Sequence, residues 1–249
     1  MQIVGYEPTP DAGLLVAENR SVDRIPLTPS AELAFGLGDR HCAGTISNGR
    51  HERCTAESVP WCSDHVDTWI CARCRGTCLK PEMDCFQEHV VYLAMVAPAT
   101  PKVGVTKANR IATRLHEQGA DRGAVVHHVK DGRIAREIEA EIGEELPERI
   151  SVGAKQRSLT QSIDEDAWDD LIASFDVAAV HEPAYELALP STPIPETIAS
   201  GSVCGTKGRL VVLEQGGSTY VTDLRDLVGY HVHPGEAPPA LQRGLAAFH

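Results

Sequence analysis

With 249 residues, 42% of them hydrophobic and 23% charged, the chain is long enough for one large domain or two modest ones and apolar enough for a packed core. Its 35 acidic and 23 basic residues leave a net charge of −12, which excludes indiscriminate adhesion to nucleic acid by the surface as a whole. No run approaches the roughly 18 apolar residues of a membrane span, and the start MQIVGYEPTPDAGLLVAENR lacks the basic segment, apolar stretch and cleavage site of a secretory signal. No membrane partner and a cytoplasmic location are therefore expected. The basic residues are unevenly spread: eleven of the 23 lie between Lys102 and Arg157, and only six are lysine against 17 arginine. Such an acidic, lysine-poor make-up suits solubility in concentrated salt, where screening shortens charge repulsion, so a halophilic source is expected.

In chain order, QIVGY and GLLVAEN read as short strands around the proline turn EPTPDA. Seven of the eight cysteines then follow within 44 residues, at Cys42, Cys54, Cys62, Cys71, Cys74, Cys78 and Cys85. Disulfides are not expected in a reducing compartment. Cys71 and Cys74 in CARCRGTC have the C-x2-C spacing that points two thiolates at one tetrahedral ion. Upstream, HCAGTISNGRHERC and WCSDH add His41, His51 and His65 as nitrogen donors. Seven cysteines and one histidine would fill two four-ligand zinc sites; four ligands and three spectators fit the count nearly as well. The arginine and glycine within CARCRGTC disfavour a redox motif. One or two structural Zn²⁺ ions are therefore expected, closed by four protein ligands and so without an open position for substrate. Cys204, isolated in GSVCGTKGRL, reads as a core or strand thiol.

Beyond Cys85 the pattern changes. HVVYLAMV and KVGV read as an antiparallel hairpin over 89–105, joined by APATP. Thr106 stands where an N-cap belongs, and KANRIATRLHEQGA places Ala108, Ile111, Ala112 and Leu115 on one helical face with Gly119 at the stop. A third strand, AVVHHV, leads through Asp131-Gly132 to a second helix whose predicted buried stripe is Ile134, Ile138 and Ile142. The order is β-β-α-β-α. A metal knot at the foot of the first of these strands would brace a unit short of large apolar residues. DEDAWDDLIASF reads as an amphipathic helix, and GRLVVLEQGGSTYVTDL as a hairpin turning at Gly216-Gly217, with LVGYHV a further strand. Because a lone hairpin is marginal, the two chain ends are expected to join in one β layer.

This order, with VVY in the first strand, KVGVT in the second, arginine on the first helix and glutamate on the second, resembles the GIY-YIG nuclease superfamily. The longer stretch CRGTCLKPEMDC…HVVYLA…KVGVT…EQGA, with GTKGRLVVLEQGG near the end, resembles the domain of unknown function 2797 family over most of the chain. The fold class expected is α+β, with segments at 1–40 (β), 41–88 (cysteine-rich, zinc-binding), 89–147 (GIY-YIG-like ββαβα core) and 148–249 (α/β, ending in a hairpin).

The GIY-YIG resemblance implies phosphodiester cleavage, with Tyr92 as the first-motif tyrosine and Gly104 as the second-motif glycine. It implies Arg114 as the phosphate-binding arginine, Arg110 its rival, and Glu139 as the carboxylate for one Mg²⁺ or Mn²⁺, with Glu137 as the fallback. Lys102 stands where most members carry the second tyrosine; at an ordinary pKa of about 10.4 it would be charged and a poor base unless buried. His116, His127 and His128 are alternative bases, the last two expected on opposite faces of their strand. Lys107, Arg110 and Arg114 form the expected nucleic-acid-binding face. The expected function is a zinc-containing phosphodiesterase acting on nucleic acid, or else a noncatalytic zinc protein binding nucleic acid or another anionic partner through the same helix.

Overall fold

The computed structural model describes residues 1–9, 11–66 and 85–235. Their backbone forms two sheets with helices between and beside them, an α+β arrangement rich in strands.

The two ends of the chain build the larger sheet. At the start come β1 (Gln2–Glu7), β2 (Gly13–Glu18), β3 (Ser21–Pro26) and β4 (Glu32–Arg40), then the small hairpin β5 (Thr45–Ser47) and β6 (Arg50–Glu52). β7 (His89–Val96), β8 (Thr100–Lys107), β9 (Arg122–Val129) and β10 (Ala179–His181) belong to the second sheet. The first is completed by β11 (Ile194–Pro195), β12 (Ala199–Lys207), β13 (Leu210–Gln215), β14 (Ser218–Asp223) and β15 (Tyr230–Pro234), giving the strand order β11-β14-β13-β12-β4-β15-β1-β2-β3-β6-β5. Strands from the two ends interleave, β4 pairing antiparallel with both β12 and β15 and β15 with β1, as the sequence led one to expect of strands too few to stand alone at either end. Ile3, Leu14, Val16, Leu33, Val203, Val211, Leu213 and Val232 alternate onto one face and form its core. In β13 the other alternation is apolar too: Leu210 and Val212 pack with Val221 against Val152 and Leu159, so this ribbon is covered on both faces.

The second sheet has the order β10-β9-β7-β8 and is antiparallel throughout. β7 is buried along its whole length, as a β-branched run between two neighbours should be. Between β8 and β9 lies α1 (Ile111–Gln118), entered through a single 3₁₀ turn and ended by Gly119 in the left-handed region, as expected of a glycine stop. α2 (Gly132–Ile142) starts at Asp131, whose side chain accepts from Arg133 N–H. Three further helices follow: α3 (Val152–Arg157), α4 (Glu165–Ala173) and α5 (Leu224–Leu227). Tyr92 and Ala94 face α1, packing with Leu115 and Ala120, while Val91, Leu93 and Val103 face α2 through Ala135, Ile138 and Ile142. The two helices therefore lie on opposite faces.

Local expectations needed correcting at three places. Thr106 is not a cap: β8 continues to Lys107, the residue before α1 is Arg110, and neither helix start has a side-chain cap, because pairing with β7 reaches His89↔Lys107 and holds Thr106 extended. On α1 only Leu115 is buried and Ala112 is exposed, since the sheet receives a narrow stripe. On α2 the buried residues are Gly132, Ala135 and Glu139; Ile134 is 46% exposed, a helix rotation set by the close approach of Gly132 to the His89 ring.

Candidate metal centre and basic cluster

β4 runs out at Arg40 and delivers Cys42 beneath the sheet; the β5–β6 hairpin returns the chain to Cys54, and a loop brings Cys62 and His65. The ligand atoms of these four residues all lie within 4.8 Å of one another. Cys62 Sγ is 3.2 Å and Cys42 Sγ 3.5 Å from His65 Nδ1, and the Cys54 and Cys62 sulfurs are 4.0 Å apart. A tetrahedral ion with Zn–S near 2.3 Å sets sulfurs about 3.8 Å apart, so three thiolates and one imidazole here match zinc in donor type and spacing. Backbone N–H groups of Gly44 and Cys62 donate to Cys42 Sγ, at 3.4 and 3.2 Å, favouring a thiolate there. Burial nevertheless pushes the Cys42 thiol up. At Cys62 the same effect of burial is outweighed by the Asp64 N–H and by His65, Cys42 and Cys54, which bring the thiol down to about 7.

The local sequence explains this geometry. Cys62 and His65 sit three apart in a turn whose His65 and Val66 amides both donate to the Cys62 carbonyl. Gly44 adopts φ +65°, and a Cβ there would meet the Glu52 carbonyl, so the strand–turn that aims Cys42 requires glycine.

Among the other expected ligands, Cys71, Cys74 and Cys78 lie outside the described residues. Cys85 is apart from this cluster, its thiol 3.8 Å from an Asp131 carboxylate oxygen and its carbonyl accepting from Gly132 N–H. His41 and His51 stand outside this cluster: His41 packs edge-on to His231, and His51 donates Nε2–H to the Ala43 carbonyl, bracing the Cys42 loop from behind. The cluster is also not at the foot of β7. It is fastened to the larger sheet, where Gln2 Nε2 donates to the carbonyls of Cys42 and Gly229. Its ligands flank β5 and β6, so the clamp belongs to the sheet those strands extend.

A second grouping lies on β8 and α1. Cross-strand pairing sets Tyr92 opposite Gly104, where a Cβ would fall 2.6 Å from the phenol; glycine makes room for the ring. Tyr92 is 1% exposed. Its hydroxyl is 2.8 Å from the Gln118 amide; with the amide oxygen turned inward, that oxygen accepts from the Tyr92 O–H and, at 3.0 Å, from Arg114 Nε. Desolvation first, and the Glu139 charge, raise the Tyr92 pKa; Arg114 and Gln118 oppose them. Arg114 is bonded to Glu117 at 3.1 Å and Arg110 to the same carboxylate at 2.7 Å.

Lys102 shares the Tyr92 face of the sheet and donates Nζ–H to the Glu148 carbonyl at 2.8 Å. Burial, then the Arg114 charge, lower its pKa to about 8; Lys155 adds to this, and Glu139 and Glu148 oppose it. Burial, the condition under which the sequence left Lys102 open as a base, makes it half-neutral near pH 8. Glu139, 7% exposed, is bound by Arg136 at 2.5 Å. The residues expected to act together thus meet unequally: Tyr92 and Arg114 are linked by hydrogen bonds through Gln118, Lys102 and Glu139 with them only through charge. Lys107 ends β8 half-buried. His116 packs edge-on to Tyr185; His127 and His128 are both exposed on β9, and their successive pairing with Val91 and Val90 sets them on opposite faces of the strand, as expected.

Sequence reasoning missed Gln118 and Lys155. The signal for Gln118 was its place one turn beyond Arg114, next to the glycine stop. Lys155 carried no local signal, because its neighbours come from distant chain.

A strand-rich α+β chain with a three-cysteine, one-histidine cluster is the class these features define. The profile of the family described as "Protein of unknown function (DUF2797)" matches residues 37–232, and the chain belongs to that family. No curated protein and no solved structure matches it. No helix among the described residues is long and apolar enough to cross a membrane.

Proposed function

We propose that the protein is a zinc-clamped module that binds nucleic acid through phosphate contacts at Lys102 and Arg114. The observation that carries this reading is the grouping itself: on a chain of net charge −12, a half-buried ammonium and a guanidinium share one side of a sheet around a buried tyrosine. Phosphate oxygens are the natural partner of such donors, and contacts of this kind hold a backbone without reading sequence. In this reading Zn²⁺ occupies Cys42, Cys54, Cys62 and His65 and is structural, since four protein donors leave no position for a substrate.

One observation favours a second reading, a GIY-YIG-type phosphodiesterase. Lys102, lowered to about 8, is neutral in about one molecule in ten at pH 7 and can take a proton from an attacking water. Cleavage would also need Glu139 to exchange Arg136 for Mg²⁺ or Mn²⁺. A single carboxylate fits such an ion when substrate phosphate completes the shell.

Branched, single-stranded and duplex DNA and RNA, each incubated with the protein and Mg²⁺ or Mn²⁺, separate the readings. Retarded, uncut substrate released by Arg114→Ala supports binding; cutting abolished by Glu139→Ala supports the enzyme. Neither retention nor cutting of any of them, or retention and cutting both indifferent to Arg114→Ala, overturns both.

A further inference from the structure

Two of the chain's six lysines, Lys155 and Lys207, reach the end of α1 and the residues just beyond it, and a third, Lys102, lies on β8 with its Nζ on the Glu148 carbonyl. They are not alike. Lys207 sits on the Asp121 carboxylate at 2.6 and 2.8 Å, a buried ion pair complete in itself. Lys155 instead reaches from α3 to donate to the Gln118 carbonyl at 2.6 Å, and Lys102 donates to the Glu148 carbonyl. Neither has a carboxylate within ion-pair distance among the described residues. An ammonium has three N–H donors, so each keeps two in hand. Buried charges are normally paired, and two neighbouring cations that share only carbonyl partners are in a site prepared for an anion.

Position agrees with this. Gln118, whose carbonyl holds Lys155, is one turn beyond Arg114 and bonds its amide to the Tyr92 hydroxyl. α3 is held there by Val152, which packs with Leu159 on the outer face of the β12–β14 ribbon. At Lys155 burial acts first, then the charges of Arg209, Arg114 and Lys207 with Asp223 opposing them, and its own charge is felt at Lys102.

We propose that Lys155 is a phosphate-contacting residue, contributed by α3 from outside the β7–α2 unit, which with Lys102 and Arg114 forms a three-cation seat for one backbone phosphate of a nucleic acid. The proposal rests on the nucleic-acid reading above and adds to it a contact from a part of the chain which that reading does not use. Capping the C-terminus of α1 is what Lys155 would do without a ligand, and the two roles predict different outcomes.

Labelled single-stranded DNA and a duplex of the same sequence, titrated by fluorescence anisotropy across a KCl series, measure affinity and salt dependence together. Lys155→Met is expected to weaken binding about tenfold, the loss of one charge-assisted hydrogen bond. The loss should be equal for unrelated sequences, with the slope of log affinity against log salt falling by about one. Lys155→Arg should retain most of the affinity. Lys155→Gln, which keeps a donor for the Gln118 carbonyl while losing the charge, gives the same reading should the methionine variant not fold. If wild-type protein binds and folded Lys155→Gln binds with unchanged affinity and slope, Lys155 only caps α1; this inference is overturned and the nucleic-acid reading stands. If wild-type protein binds none of the probes, both fall.

Discussion

Lys102 and Lys155 are each held near pKa 8 by burial, followed for Lys102 by Arg114 and for Lys155 by Arg209 and Arg114. Their unfolded values lie near 10.4. Between pH 8 and 10 the unfolded chain binds more protons than the folded one, so stability rises with pH across that window; below it the charged forms are buried at a cost. Replacing Lys102 by Met removes that cost and is expected to raise the unfolding midpoint at pH 7 by several degrees, the gain shrinking toward pH 10. It should also weaken nucleic-acid binding. Calorimetric melts at pH 7 and pH 10, set beside anisotropy titrations, check both; a lower midpoint at pH 7 would show that the Glu148 contact outweighs desolvation. Gaining stability while losing affinity is the pattern of a residue kept for function. For the wild-type protein, affinity should fall as pH rises from 7 to 9 and the two ammonium groups lose their protons.

At the scale of elements, the Cys42 turn and the β7–β8 hairpin each depend on one glycine. Gly44→Ala forces a Cβ against the Glu52 carbonyl at positive φ, so the variant should release its metal to a chelator faster than wild type; equal release rates would contradict the clamp geometry. Gly104→Ala places a methyl against the Tyr92 phenol and is expected to cost about 1–3 kcal/mol, the range for overpacking, measured by denaturant titration. Substituting His65 or Cys62 by Ala should abolish the one zinc ion per chain assigned to this cluster, read by mass spectrometry of the intact protein. Retention of zinc in both would assign it elsewhere. These elements were largely visible in advance: HVVYLAMV, Asp131-Gly132, Gly119 and Gly216-Gly217 are local signals, and the strand, cap and turns they specify are all present. Thr106 and Ile134 misled because their positions are decided by the pairing of Thr106 with Val90 and by the packing of Gly132 on the His89 ring, contacts distant in sequence.

At the scale of the whole molecule, the two sheets are joined where the β12–β13 turn meets the end of α1. Gly208 approaches the Gly119 backbone so closely that a Cβ would lie 2.7 Å from its nitrogen, and the Lys207–Asp121 pair closes the contact. Lys207 is 8% exposed, so removing Asp121 alone leaves a nearly buried charge unpaired. A double-mutant cycle of Lys207→Met and Asp121→Asn is expected to show coupling of about 1–3 kcal/mol; none would mean that this ion pair does not help hold the two sheets together. Salt should act in opposite directions on two properties. Screening the net charge of −12 is expected to raise the unfolding midpoint, while nucleic-acid affinity falls as counterions compete for the cationic seat.

By itself the sequence determined the β-β-α-β-α order of the middle unit, the meeting of its two ends in one β layer, and a crowd of thiols suited to zinc, because periodicity, turn residues and ligand spacing act over a few residues. Only the tertiary structure decided that Cys42, Cys54, Cys62 and His65 form one cluster, that this cluster is fastened to the larger sheet, and that Lys155 reaches Gln118. Which donor meets which, and how much water remains around a charge, depends on chain segments brought together by burial; no local pattern encodes that.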